Sequence, residues 1–336
     1  MRNRILLAGV ALQVLCACQL AWSAGPGDGA TTERAIAALK KVEAAQLRMF
    51  GPLNTNLDAP SRVLRLPGNI TALRDHPDAP QMIIVPAGEF TMGGHPEAAL
   101  AASTKSDLPL TEEPNGRKRI RIASPFAFSK YAVTVGEFAK FVAETHYDAG
   151  DACQVTEAGL AKGYNWSNPG FSHTNDSPVV CVNYEDSVAY VEWLSKKTGK
   201  KYRLPSEAEY EYANRAGTNT RYWWGNDIEQ KRAVCGTCGT PWDNKQPAPV
   251  GSLAPNPFGL YDTAGNSWSR TRDCWNPGLE NTPADGSPSL TGDCQRRIVR
   301  GGGFRSNPLN LRAALRERVE HDRRFNDDGF RVIREL

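Results

Sequence analysis

An α+β domain, rich in loops and low in regular secondary structure, is predicted from three observations. The 336 residues include 30 Gly, 23 Pro and 8 Trp, a composition that interrupts long elements and leaves stability to buried aromatic clusters. Helical periodicity with matching caps is confined to a few short segments before Gly217. Beyond Gly217 the chain runs through GND, CGTCG, NPFGLYD and GNSW, which read as turns and loops. The length suits one large domain or two small ones, and 40% hydrophobic with 23% charged residues is the balance of a globular chain.

The first element is a leader. Arg2 and Arg4 precede the apolar run 5–15, broken only by Gln13 and too short to span a bilayer, so residues 1–24 read as a signal peptide. Two ends compete. Ala21-Trp22-Ser23 offers small residues to an ordinary signal peptidase, whereas Leu15-Cys16-Ala17-Cys18 resembles a lipobox with Cys18 as the lipidated residue. Either end places the mature chain in the periplasm or at the outer membrane, with membrane attachment only through a lipid on Cys18.

Residues 25–80 read as a linker and an N-terminal helix. Polar GPGDGATT leads to Thr32, which can cap ERAIAALKKVEAAQLRMF; Ile36, Leu39, Leu47 and Phe50 share a face, and Gly51-Pro52 ends it. The helix docks on the main domain or, with Cys18 lipidated, spaces it from the membrane. Residues 51–80 look like an extended connector.

The main domain is predicted over 81–336. MIIVPAGEFTMGG spells strand, turn and strand, residues 95–117 a mobile polar insertion, and RIRIASPFAFSKYAVT further strands. TVGEFAKFVAET gives a helix with Phe138, Phe141 and Val142 on one side. In VNYEDSVAYVEWLSKKTG the buried face is Val188, Val191, Trp193 and Leu194, with Gly199 as C-cap. LPSEAEYEYANRAG follows, with Ser206 and Glu209 as a capping box and Gly217 closing it.

Cysteine usage agrees with export. Two of the eight cysteines, Cys16 and Cys18, lie in the leader, and the remaining six favour disulfides in an oxidising compartment. Sequence order suggests Cys153–Cys181, Cys235–Cys238 and Cys274–Cys294, from about 15 possible pairings. The CxxC at Cys235 lacks the strand-to-helix context of a redox-active motif and reads as a loop-closing bridge. Zinc would need four ligands, and no second pair is left free.

Charge excludes some partners. Forty basic against 37 acidic side chains leave +3, and loss of Arg2 and Arg4 with the leader brings this to +1. Such a chain offers no general electrostatic case for nucleic acid or an anionic membrane. The arginines of residues 296–334 pair more naturally with nearby carboxylates and carbonyls. Arg300, Arg312 and Arg331 read as buried loop anchors; Arg305 is the better candidate for a ligand. Arg316 remains a possible anion clamp. No glycine-framed nucleophile elbow appears, so Ser-His-Asp catalysis is unsupported.

Five blocks then occur in one order: VPAGEFTMGG; PVVCVNYEDSVAYVEWLSKKTGKKYRLPSEAEYEYANRAG; YWWGND; PVGSLAPNPFGLYDTAGNSW; and RGGGFR with a terminal GFRV. In that order and spacing they resemble the sulfatase-modifying-factor family, the formylglycine-generating enzymes and their relatives, over 81–336. The resemblance implies a variant of the C-type lectin-like fold, with short helices, small twisted sheets and extensive loops.

The family's chemistry carries over only residue by residue. In formylglycine-generating members, two cysteines of the Arg-rich run bind copper and activate oxygen against a substrate cysteine. Here those positions are Ser306 and Leu311, and soft Cu(I) finds a poor ligand in the first and none in the second. The serine that helps line the family's substrate pocket is Gly303. No copper is expected. Relatives also hold calcium around a GNVWEW block, here GNSWSR. Asp262, Gly265 and Ser267 match ligand positions, while the usual glutamate is Ser269. Calcium wants six to eight oxygens, so this site is weakened, water-filled or lost, unless Asp262 compensates for the missing glutamate and calcium is held.

Relatives that make sulfoxides use a three-histidine iron site on an added helical domain. His76, His95, His146, His173 and His321 are scattered here and match no such site. A further branch acts in the periplasm on a siderophore chromophore without the copper cysteines. Of the aromatic set, which includes Trp166, Tyr222, Trp223, Trp224, Trp242 and Trp275, most read as core. Trp268 is the groove candidate, because its family counterpart borders the substrate pocket. With Arg305, Ser306 and Asn307 it defines the expected ligand groove. The functional expectation is an exported pseudoenzyme that binds a peptide or protein partner at the envelope. The alternative is a non-copper oxidase or maturation enzyme acting on a periplasmic peptide or siderophore-type substrate.

Overall fold

The computed structural model describes residues 62–66, 70–94, 116–156 and 159–336, all within one compact unit, Ser61–Leu336. The leader, the helix expected after Thr32 and residues 95–115 of the polar insertion lie outside the described residues. In chain order the elements begin with strands β1 (Arg62–Leu66), β2 (Ile70–Arg74), β3 (Met82–Val85), β4 (Gly88–Met92), β5 (Lys118–Ile122) and β6 (Phe126–Ser129). Helix α1 (Val135–Thr145), strands β7 (Ala152–Thr156) and β8 (Gly159–Lys162), and helix α2 (Tyr184–Thr198) come next. Then follow β9 (Tyr202–Arg203), helix α3 (Glu207–Arg215), β10 (Trp268–Trp275) and β11 (Asp293–Arg300). The chain closes with β12 (Arg316–Glu320), β13 (Asp328–Phe330) and β14 (Ile333–Glu335).

The six-stranded sheet runs β1-β2-β3-β6-β14-β9, and a four-stranded sheet runs β12-β11-β10-β13. The last strand therefore threads between β6 and β9, with Ile333 opposite both Phe128 and Arg203. Two strands lie N-terminal of the expected boundary at Gln81. The stretch read as connector supplies β1 and β2, and Ala72 and Leu73 of β2 are buried. Its prolines and asparagines fall outside the two short strands, which is why composition alone suggested a connector.

The three α-helices among the described residues start on a complete capping box: Thr134 with Glu137, Asn183 with Asp186, and Ser206 with Glu209. Each box satisfies two otherwise orphaned backbone donors. Helix α2 ends on left-handed Gly199 as expected. Helix α3 instead turns at Ala216, with φ +47°, one residue before Gly217. Phe138, Phe141, Val191, Trp193 and Leu194 enter the first core cluster, and Val188 packs at its margin. Tyr190, unforeseen, sits at its centre and stacks on Phe138 at 6.0 Å.

The disulfides Cys153–Cys181, Cys235–Cys238 and Cys274–Cys294 are all present. The first ties β7 to the approach to α2, and the third ties β10 to β11.

All nine residues of α3 are buried, including Glu207, Glu209 and Glu211. Buried carboxylates demand partners, and the Arg-rich segment supplies them. Arg316 grips Glu207 through Nε and Nη2, both at 2.8 Å, and Arg300 hydrogen-bonds Glu211. Arg300 also donates to the carbonyls of Ala313, Ala314 and Leu315. Helix α3 is thereby fastened to β11 and β12.

Candidate ligand groove at the end of strand β11

Strand β11 ends at Arg300, and Gly301-Gly302 turn the chain with φ of +95° and +82°. The first glycine is required by a close approach: a Cβ there would lie 2.4 Å from the Tyr210 hydroxyl. The next residues are fixed by backbone hydrogen bonds from three directions. Phe304 N–H donates to Asn266 O, Asn244 N–H to Phe304 O, and Gly236 N–H to Ser306 O. The segment 301–306 is thus stitched to the Cys235–Cys238 loop and to the GNSW loop.

Both former cysteine positions face inward. Ser306 is 8% exposed, and its Oγ accepts the Gly303 N–H at 2.8 Å, closing a four-residue turn. Leu311 ends a 3-10 turn, Pro308–Leu311, and is fully buried. It packs among Tyr222, Ala233, Ala264 and the Cys235–Cys238 bridge. A hydroxyl committed to a backbone amide and an aliphatic side chain in an apolar cluster do not fit Cu(I).

Of the other groove residues, Trp268 is mostly core. It is 8% exposed and packs with Val299, Leu315, Val319 and Phe325. Its Cδ1 lies 3.1 Å from where a Cβ on Gly303 would stand. Arg305 is exposed, lies over the Phe304 ring at 4.8 Å, and uses Nη1 to bond Val155 O and Asn326 Oδ1. Asn307 is exposed, but its Oδ1 caps the 3-10 turn through Leu309 N–H. Gly303 and Trp268 are therefore close-packed neighbours in the buried layer, Arg305 is exposed, and Ser306 and Asn307 serve the local backbone.

Sequence reasoning missed Asp327. Its Oδ2 lies 3.1 Å from the Cβ position of Gly303, as does the Trp268 edge. It retains partial solvent access, yet burial raises its carboxyl above the usual range, against the lowering pull of Arg305 and Arg270. Its neighbour Asp328 is pushed up to about 7 by burial, although Arg270 sits 3.1 Å away. The available signal was an acidic pair, Asp327-Asp328, inside a strongly basic stretch.

The remaining arginines are structural. Arg331 donates to the carbonyls of Ser129 and Tyr261, and Arg300, Arg312 and Arg316 are at most 3% exposed. Arg316, left open as an anion clamp, is spent on Glu207. The calcium residues lie on one loop with other engagements. The Asp262 carboxylate accepts the Gly251 N–H at 2.9 Å, and burial raises its pKa. The Gly265 carbonyl accepts the Ser267 N–H. Ser269 adds one buried hydroxyl without a hydrogen-bond partner. No group of three or more His, Cys, Asp or Glu suited to a metal occurs among the described residues.

Residues 70–336 match the family model described as "Sulfatase-modifying factor enzyme 1-like domain". The formylglycine-generating enzyme of Bos taurus is 29% identical over 320 residues, covering 81% of this chain and 79% of that one. The mouse protein named inactive C-alpha-formylglycine-generating enzyme 2 is 27% identical, covering 60% and 71% respectively. Among solved structures, PvdO from Pseudomonas aeruginosa superposes with a TM-score of 0.68 at 31% identity, covering 83% of this chain and all of that one. The loop-rich α+β architecture is the C-type lectin-like variant expected of such relatives. By its matched domain and its fold, the chain belongs to the sulfatase-modifying-factor family.

Proposed function

We propose that the protein is an exported, copper-free family member that binds a peptide or protein segment at the cell envelope. The ligand is placed at the segment 303–307, where Arg305 and Asn307 are exposed and Asp327 nearby is partly exposed. One observation carries this reading: Leu311 is fully buried in an apolar cluster, so a position of the copper pair now belongs to the core. Ser306 has likewise become part of a turn. Loss of metal ligands costs a binding role nothing, and the loop-rich surface suits protein recognition. The leader and three disulfides agree with an oxidising periplasm, and a lipid on Cys18 would hold the protein at the outer membrane.

Asp327 favours a second reading. A desolvated carboxyl in the groove has the character of a general base, so a non-copper oxidation of a periplasmic peptide or siderophore-type substrate is the enzymatic alternative. Dioxygen would take the electrons. The two readings separate when the purified mature protein is incubated aerobically with a synthetic peptide library, with and without added copper or calcium. Retention of peptides at unchanged mass is expected. A peptide whose mass changes only in the presence of the protein overturns the binding-only reading.

A further inference from the structure

We infer that the cleft formed by residues 122–126, Arg272 and the turn 285–288 is a ligand site for a small zwitterion, of amino-acid to short-peptide size. Arg272 takes the carboxylate of the ligand and Asp285 its ammonium group. No wall residue belongs to the segment 303–307, so this site is independent of the one proposed above.

The cleft has a volume of about 480 Å³, the scale of a small-molecule site. Part of its wall is apolar, from Ile122, Pro125, Phe126 and Pro288, and can receive an aliphatic side chain. Five charged side chains also line it: Arg203, Glu209, Arg272, Asp285 and Glu335. Three of these compensate one another. Arg203 donates to Glu209 at 2.7 and 2.6 Å and to Glu335 at 2.9 Å, and Lys201 adds a second cation on Glu335. Arg272 and Asp285 are left, one charge of each sign, and neither has an ionic partner among the described residues.

Arg272 is the more telling of the two. It is the one residue of β10 that is not buried. Arg270, Arg300, Arg316 and Arg331 all donate to carbonyls or carboxylates of the fold. The Arg272 guanidinium meets no such acceptor among the described residues. Its backbone is nonetheless fixed, since its N–H donates to Pro205 O at 2.9 Å and its carbonyl accepts Arg297 Nη1 at 2.8 Å. A guanidinium presents a planar fork of donors that matches a carboxylate with two parallel hydrogen bonds.

Asp285 is held by its own turn. Its Oδ1 accepts the Ser287 N–H at 3.0 Å and the Ser287 hydroxyl at 2.7 Å, which leaves Oδ2 for a ligand. Those bonds also hold its carboxyl below the usual range, so it stays ionised at neutral pH. The turn is seated on the protein by Ser206 Oγ, which donates to Gly286 O at 2.6 Å, and by Ile122, whose Cδ1 lies 2.5 Å from where a Cβ on Gly286 would stand. Pro205 thus fixes Arg272 and Ser206 fixes the Asp285 turn, so two adjacent residues bring the opposite charges to one cleft. A simple anion or a simple cation would satisfy one of them and meet the other as a like charge; a zwitterion matches both.

Calorimetric titration of the full mature chain tests this, with leucine, leucyl-leucine and the N-acetyl and C-amide derivatives of leucyl-leucine as probes. The wild type is expected to bind at least one of the two zwitterions at millimolar concentration or below, and both blocked derivatives more weakly. Arg272→Gln should weaken zwitterion binding by roughly ten-fold or more, and Asp285→Asn, at the exposed rim, by roughly two- to five-fold. Arg272→Gln should also leave Tm unchanged, because the fold makes no use of that guanidinium; a purely structural arginine would lower it. Absence of binding to both zwitterions, blocked derivatives that bind as well as the parent, or binding that survives both substitutions overturns the inference and leaves the site at 303–307 untouched.

Discussion

Glu207→Ala tests whether the arginine framework around the groove is the structural clamp described above. Glu207 is 1% exposed, accepts two hydrogen bonds from Arg316 at 2.8 Å, and lies 3.6 Å from Arg300 Nη1. Once it is removed, Arg300 keeps Glu211 and three carbonyls, so its charge stays compensated. Arg316 keeps only the carbonyls of Asn276 and Gly278 and the Trp275 ring. One buried cation is left without a counter-ion, which costs about 3–5 kcal/mol. An offset comes from Asp273, whose pKa is pushed up to about 7 by burial and then by Glu207. Relieving that repulsion returns on the order of 1 kcal/mol. The net loss is about 2–4 kcal/mol, or about 4–16 °C in Tm for a domain of this size. Urea unfolding of the oxidised protein, followed by tryptophan fluorescence, reads it directly. The pair Glu207→Leu with Arg316→Met leaves no uncompensated charge, only the Asn276 and Gly278 carbonyls without their donor, and should be less destabilised than Glu207→Ala alone. A single variant as stable as wild type, or a double variant as damaged as the single, refutes the clamp.

Three further outcomes are expected. Asp273 has a folded pKa of about 7 against an ordinary 3.8, so its contribution is present below the unfolded pKa and lost as pH rises through 7. Unfolding free energy should fall by on the order of 1 kcal/mol between pH 6 and 8, and Asp273→Asn should flatten that slope; an unchanged slope refutes the assignment. Leu311→Ala should cost about 2–5 kcal/mol in the same urea assay, since it opens a cavity beneath the Cys235–Cys238 bridge. A neutral result would place the side chain in the groove and remove the main support for the copper-free reading. Calcium added to chelator-treated protein should leave Tm unchanged, because Asp262 is held by Gly251; a tightly bound ion would instead add about 2.7 kcal/mol at a hundred times its Kd.

Short-range chemistry was the legible part of the sequence. The Ser206–Glu209 capping box, the Gly199 cap and the apolar face of α2 depend on residues within a turn of each other, and all appear in the structure. Strands β1 and β2 were not legible, because what makes them strands is pairing, β1 with β2 and β2 with β3, rather than their own pattern. Asp327 escaped notice for a related reason. Its place beside Gly303 and Trp268 arises from β13 pairing in parallel with β10, a contact across some 60 residues that no local motif announces. The family resemblance marked Trp268 as a groove residue, but resemblance could not say how much of the ring the core would take.

The retained Arg and Gly framework is informative about architecture for a physical reason. Arg300, Arg316 and Arg331 hold carbonyls and carboxylates that are already buried, so replacing any one strands a polar group whatever reaction the protein performs or has lost. Gly301 is held by the nearby Tyr210 hydroxyl in the same way. Ser306 and Leu311 are accounted for in the same terms, the first by the Gly303 N–H its hydroxyl accepts and the second by an apolar cluster. Gly303 is buried, with Asp327 and Trp268 atoms already 3.1 Å from where a Cβ would stand, so close packing favours glycine there as it does at Gly301. Structural demand thus accounts for the arginines and glycines of this ending without reference to any reaction.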